Sequence, residues 1–429
     1  MLRLPQGRNL GAWAAAGESS WAGGDAEGVG WSLAAAADQV VLAFPESQSL
    51  GLLQEGLSLD RRATDLHGES FGAGLALGDA EADGRMDLVI GVPGRDNGRG
   101  RVRLVRAATR RPDWSKLSMD LEVLGAGSGG RFGEAVALCG DLTGDGLPEW
   151  AVSAPRLSAS EGATVGVASL AGGVAVLLSE GLRGQSGTVT ADAVGLWLWG
   201  SKEGEGAGAA LSCDRDLTGD GVADLLVGAP LGGEAAEGIV YLVSGAALGA
   251  EPTSGPLASR GEVVWRGAAA GDWAGAALAA GDVDGDGRSD VVIGAPGASG
   301  GRGLGVVFFG VAAAGWERPG SRVRLASTAS GAPHLGALLG LEDLDGDGRS
   351  DLLVGLPRWQ EAGDTHAGRL AVWYGGASWP LLLTAGDGSE DWSLTGQHAY
   401  EEIGAAWAVS DLGDEGEGAL VLTRRQERR

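Results

Sequence analysis

The sequence predicts an all-β fold, a seven-bladed β-propeller of four-stranded blades whose ring is closed by N- and C-terminal strands. Three observations lead there. A nine-residue acidic loop, DVDGDGRSD at Asp282–Asp290 in its fullest form, recurs through the 429-residue chain between the same two apolar patterns, here WAGAALAAG before it and VVIGAPG after it. The first positions of successive full copies lie 62, 75, 66 and 61 residues apart, which is room for four short strands and their turns. Eighty glycines and 14 prolines punctuate the chain between those strands. Four-stranded units repeated radially make a propeller.

Taken in order, repeat one (residues 28–65) reads GVGWSLAAAADQVVLAFP over Gly28–Pro45. Its acidic loop is deleted and Gln39 stands where the last carboxylate belongs, so no metal is expected there. Repeat two (71–125) opens with Phe71-Gly72 and predicts strands in GAGLALG, DLVIGVP, RVRLVRA and MDLEVLG; its loop offers Asp79, Glu81, Asp83, Gly84 and Asp87. Repeat three (131–200) opens with Phe132-Gly133 and offers Asp141, Thr143, Asp145, Gly146 and Glu149. Repeat four (206–267) offers Asp216, Thr218, Asp220, Gly221 and Asp224. Repeat five (273–327) offers Asp282, Asp284, Asp286, Gly287 and Asp290, and repeat six (334–396) Asp343, Asp345, Asp347, Gly348 and Asp351.

Repeat seven (402–429 plus 1–16) has Asp411, Asp414, Glu415, Gly416 and Glu417, but Gly413 and Ala419 fall where the third and ninth ligands belong. Weak binding or none is expected. The chain stops after GALVLTR, two strands into this repeat, and the N-terminus supplies MLRL as a third strand and GAWAAAG as a fourth. Pairing the two ends removes exposed sheet edges. The rival account is a fragment or a misassigned start that lacks a secretory signal. The terminal TRRQERR reads as a solvated basic tail.

Side-chain oxygens at loop positions 1, 3, 5 and 9 and a glycine at position 6 let the backbone wrap one centre. The carbonyl of position 7, contributed by Arg85, Leu147, Val222, Arg288 and Arg349, is a further ligand. An all-oxygen set suits a hard cation; zinc wants His or Cys, and magnesium demands a stricter octahedron and keeps more water. The expectation is calcium at about five sites. Thr143 and Thr218 replace a carboxylate by a neutral oxygen, so repeats three and four should bind more weakly. One such loop alone reads equally as an acidic β-turn. Five in register favour the cation, because clustered carboxylates repel one another unless a positive charge sits among them.

The net charge of −25 argues against nucleic acid, although 18 of the 57 acidic residues lie in the five loops and bound cations would offset much of it. No apolar run is long enough to span a membrane. Cys139 and Cys213 precede acidic loops in neighbouring repeats and could approach one another, but buried free thiols are the simpler reading. His67, His334, His366 and His398 are scattered, and no G-x-S-x-G or HExxH motif occurs. His334 is read as a packing residue in the slot of Phe132. A non-enzyme is therefore expected, with a propeller-type polysaccharide lyase or hydrolase as one alternative and a structural scaffold as another.

Phe71-Gly72, Phe132-Gly133, the GAP triplets at 228–230 and 294–296 and the loops between them resemble the FG-GAP repeats of the integrin α-subunit head, a calcium-binding propeller. The resemblance covers nearly the whole chain, most strongly repeats two to six. It implies calcium at the loop residues, an extracellular or cell-surface location, and a role in cell adhesion or extracellular recognition. Later leg domains, an inserted domain and a transmembrane helix are lacking, which puts an integrin β-type partner in doubt and suits a free-standing repeat protein. In an antiparallel blade the one-to-two and three-to-four connections share one face, so the remaining connections lie on the other. The resemblance places recognition of a protein or glycan ligand on that second face. Trp273, Arg358, Trp359 and Tyr400 are its candidate contacts, with ordinary rim or core roles as the alternative.

Overall fold

The structure is a computed structural model that describes residues 2–3, 32–36, 39–44, 49–53, 59–63, 70–107, 120–158, 171–310, 322–329, 332–360, 366–396, 402–410 and 419–422. It is an all-β propeller-type array of six blades, each a sheet of four or five strands. This corrects the expectation of seven four-stranded blades. The remaining sheet has three strands: Trp407–Ser410, Ala419–Leu422 and the two-residue Leu2–Arg3, paired Leu2↔Leu420 and Arg3↔Ala419. The two chain ends do pair as expected; among the described residues this sheet has three strands, and GAWAAAG lies outside them.

The described chain divides into two compact units. In the unit 62–278, one blade pairs Leu75–Gly78, Asp87–Gly91, Arg101–Val105 and Leu121–Leu124 in antiparallel order. The next pairs Val136–Leu138, Trp150–Ala154, Gly173–Leu177 and Gly195–Trp199. The third pairs Ala210–Arg215, Asp224–Ala229, Ile239–Val243 and Glu262–Arg266. In the unit formed by 1–61 with 279–429, one blade holds Ser32–Ala36, Gln39–Phe44, Ser49–Leu53 and Leu59–Ala63. Another holds Ala277–Gly281, Asp290–Ala295, Leu304–Phe308 and Arg322–Ser327, and the last Leu338–Glu342, Asp351–Leu356, Arg369–Trp373 and Trp392–Thr395.

The fifth strands come from the three-to-four connection of the following blade, laid parallel on the outer strand of the one before. Gly187–Thr190 pairs with Leu121–Leu124, Gly255–Pro256 with Gly195–Trp199, and Leu382–Ala385 with Arg322–Ser327. Each covers a sheet edge that would otherwise offer unpaired backbone. Second strands such as Asp87–Gly91, Asp290–Ala295 and Asp351–Leu356 are buried at every residue. Burial on both faces is why they read as continuous apolar runs rather than alternating ones.

The FG and GAP signatures have a steric cause. A methyl group on Gly91 would stand 2.0 Å from the carbonyl oxygen of Gly133, one on Gly228 2.0 Å from that of Gly275, and one on Gly294 1.9 Å from that of Gly336. Blade therefore meets blade backbone on backbone, and only glycine fits. Phe132, which precedes Gly133, and its counterpart Phe71 are buried in the core, with Phe132 packed 5.7 Å from the Trp197 ring. The slot of Phe132 is filled in the sixth repeat by Leu335, not His334: the bridges Gly100↔Phe132 and Gly303↔Leu335 are equivalent. His334, at φ 55°, instead matches Arg131 and Trp273, both at φ 58°.

Candidate metal centre

Each acidic loop is a hairpin turn from the first to the second strand of a blade, and its first carboxylate organises it. Asp79, Asp141, Asp216, Asp282 and Asp343 each accept the amide of the position-6 glycine through Oδ2, at 2.7–2.9 Å. Oδ1 takes a second amide from position 4 or 5, such as Gly285 at 2.7 Å and Gly346 at 2.8 Å. Those position-6 glycines lie at φ between 78° and 87°, the left-handed region that side chains disfavour. The position-5 aspartates Asp83, Asp145, Asp220, Asp286 and Asp347 accept the amide of position 7, which fixes the peptides of Arg85, Leu147, Val222, Arg288 and Arg349.

The ninth carboxylate is the buried one. Asp87, Glu149, Asp224, Asp290 and Asp351 are at most 1% exposed. Through one oxygen each accepts the position-2 amide, from Ala80, Leu142, Leu217, Val283 and Leu344. Four of them accept a further amide with the other oxygen, from Ala107, Gly245, Gly310 and Gly375, at 2.6–2.9 Å. That donor sits two residues past the third strand, and sequence reasoning missed it. A glycine at this place in three repeats was the available signal. In repeat one, Gln39 pairs with Ala36 across a tight hairpin, at the register where Asp87 pairs with Gly78.

Burial pushes the ninth carboxylates up, and the carboxylates around them add to it. Asp87 rises to about 6, and Glu149, Asp290 and Asp351 to about 7; Asp224 and Asp284 rise for the same first cause. A cation among them would reverse this direction.

Three loops bring three carboxylates within 4.8 Å of one another: Asp79, Asp83 and Asp87; Asp282, Asp284 and Asp290; Asp343, Asp345 and Asp347. Asp286 and Asp351 stand outside these groups. Glu81, an expected ligand, does not join its loop's cluster. It turns to Arg106 just past the third strand, which grips both its oxygens at 2.5 and 2.7 Å, because a long side chain reaches that guanidinium where an aspartate would not. In the loop 141–149, Thr143 Oγ1 and Glu149 Oε1 are buried without a hydrogen-bond partner of ordinary geometry. The Ser179 amide still favours the Glu149 anion at longer range. An unpartnered Thr143 Oγ1 beside an under-satisfied Glu149 fits an oxygen-seeking cation, since a bare buried oxygen costs about 1–3 kcal/mol.

On the other face the candidates separate. Trp273 is 39% exposed at the tip of its turn, and Arg358 is exposed with Nη1 3.3 Å from His334 Nε2. Trp359 is corrected to a packing residue: it is 4% exposed, lies 5.0 Å from the Arg369 guanidinium, and presses on Gly386. Tyr400 lies outside the described residues, as do the repeat-seven loop residues. Cys139 and Cys213, read as free thiols, are joined by a disulfide between neighbouring first strands, because the strand register brings their Cα atoms to 4.8 Å.

The FG-GAP repeat model matches residues 207–243, 274–309 and 335–373. Integrin alpha pat-2 of Caenorhabditis elegans is 28% identical over 221 residues, 46% of this chain and 17% of that protein. Human integrin alpha-IIb is 35% identical over 204 residues, 45% of this chain and 18% of its own length, and Xenopus laevis integrin alpha-4 is 31% identical over 173 residues, 39% and 15%. The alignments thus span less than a fifth of these curated relatives. A solved structure titled "Streptogramin B lyase structure" covers 92% of this chain and 94% of its own, at TM-score 0.48 and 10% identity. Among the described residues no helix is long and apolar enough to cross a membrane.

Proposed function

We propose that this chain, an FG-GAP repeat protein similar to integrin α-subunits, is a calcium-stabilised interaction module for adhesion or extracellular recognition. The repeated loop carries the reading: five turns share one hydrogen-bond plan, and three of them gather carboxylates around a centre whose repulsion a cation would relieve. The ligands are the residues at positions 1, 3, 5 and 9 with the carbonyl at position 7, Glu81 being the one already engaged elsewhere. Calcium supplies charge compensation, and the chain's contribution is to fix the first and second strands of each blade around it. The disulfide supports an oxidising, extracellular setting.

The partner is a protein, met through the connections away from the cation loops, with Trp273 the candidate contact in one unit and Arg358 in the other. Binding rather than catalysis is favoured because, among the described residues, every carboxylate with a clearly raised pKa belongs to a cation loop. Calorimetric titration should count several calcium ions, and chelation should lower the melting temperature. At free calcium 100 times its dissociation constant each site adds about 2.7 kcal/mol. A melt indifferent to chelator sinks the proposal.

A further inference from the structure

We infer that the loops 282–290 and 343–351 take up their cations as a coupled pair, occupancy of either raising the affinity of the other. This rests on the cation reading above. The two loops share one continuous hydrogen-bonded path between their buried last ligands. Asp351 accepts the Gly375 amide at 2.7 Å, and the next amide, Gly376, donates to the carbonyl of Val283 at 2.9 Å. The Val283 amide in turn donates to Asp290 at 2.8 Å. A second strap runs beside it, from the Ser350 amide to the carbonyl of Asp282 at 2.7 Å. Ser350 immediately precedes the last ligand of one loop, and Asp282 is the first ligand of the other.

Side-chain geometry ties the same two loops. A methyl group on Gly285 would meet Arg349 Nε at 2.6 Å, so the Arg349 side chain lies across position 4 of the neighbouring loop. The Arg349 peptide is meanwhile held at position 7 of its own loop by Asp347 at 2.9 Å. Ordering one loop around an ion therefore orders groups that the second would otherwise have to immobilise itself. Such shared ordering is positive coupling, and it must be reciprocal.

Native mass spectrometry of the full chain, counting calcium ions against free calcium, tests this. The variants D345N with D347N, and D284N with D286N, silence one loop each while leaving the buried Asp351 and Asp290 and their amides in place. Each pair should remove one ion and move the half-filling of a second to calcium about tenfold higher, within the usual range of such couplings. The two shifts should be equal. Loss of one ion with the rest of the curve unmoved, or clearly unequal shifts, overturns the coupling. A wild-type chain that binds no ion overturns the cation reading itself. Should one variant pair fail to fold by circular dichroism, the other still decides.

Discussion

The loop pair 141–149 and 216–224 and the pair 282–290 and 343–351 solve one problem by different means. The second pair has aspartate at every side-chain ligand position, gathers three carboxylates in each loop, and joins its loops through peptide groups. The first pair has threonine at position 3, forms no such group among the described residues, and is tied by the Cys139–Cys213 disulfide. One strap is common to both, since the Ala223 amide donates to Asp141 as Ser350 donates to Asp282. Where ligand charge is lower, a covalent bond takes a share of the holding. The disulfide clamps the first strand of one blade to that of the next, whereas the proposed cation would hold the first and second strands within a blade.

Removing the covalent clamp should break the comparison most. C139S with C213S is expected to cost about 2–5 kcal/mol, because the disulfide closes a long loop in the unfolded chain. Denaturant melts should show that loss enlarged without calcium and the calcium affinity of the 282–351 pair unchanged. Next in size is D351A, which strips a buried acceptor from the Leu344 and Gly375 amides. Each orphaned amide costs about 1–3 kcal/mol, and one calcium ion should be lost in a titration.

Acid should stabilise the cation-free protein. Natively Asp290 and Asp351 keep their protons up to about pH 7, whereas in the unfolded chain they lose them near 3.8. Between those values the native state binds more protons, so stability is full below about pH 4 and falls as pH rises to 7, by at most about 1.4 kcal/mol per unit for each group. Melting temperatures with chelator should trace that slope, and saturating calcium should flatten it. The smallest effect sharpens the contrast instead. T143D restores the missing charge and should tighten its loop about tenfold, read from the calcium titration of that variant.

Much of this was legible in the sequence because the repeat is local. The DLVIG-type second strands, the turn glycines and the spacing of the carboxylates are all fixed within nine to twenty residues of one another. The antiparallel plan follows from them. The contact of Glu81 with Arg106 was not legible because the two are 25 residues apart and their bonding depends on how the third strand ends. For Trp359 the sequence left a contact and a core role both open, because a tryptophan in a connection carries no mark of the Arg369 and Gly386 surfaces that bury it. His334 slipped by one residue because leucine can fill a phenylalanine slot without the FG spelling.

The acidic loop that repeats along the chain was determined by sequence alone: its ligand types, its glycine and its place between two strands. Tertiary structure decided what lies between repeats. It set the count of six complete blades among the described residues, with the two chain ends sharing a three-stranded sheet. It chose which connections lie as fifth strands on a neighbour's edge, and it brought Cys139 to Cys213. It also supplied the second amide to each aspartate that ends a loop. Those contacts join residues far apart in the chain, where no local periodicity records them and only backbone packed on backbone decides the distance.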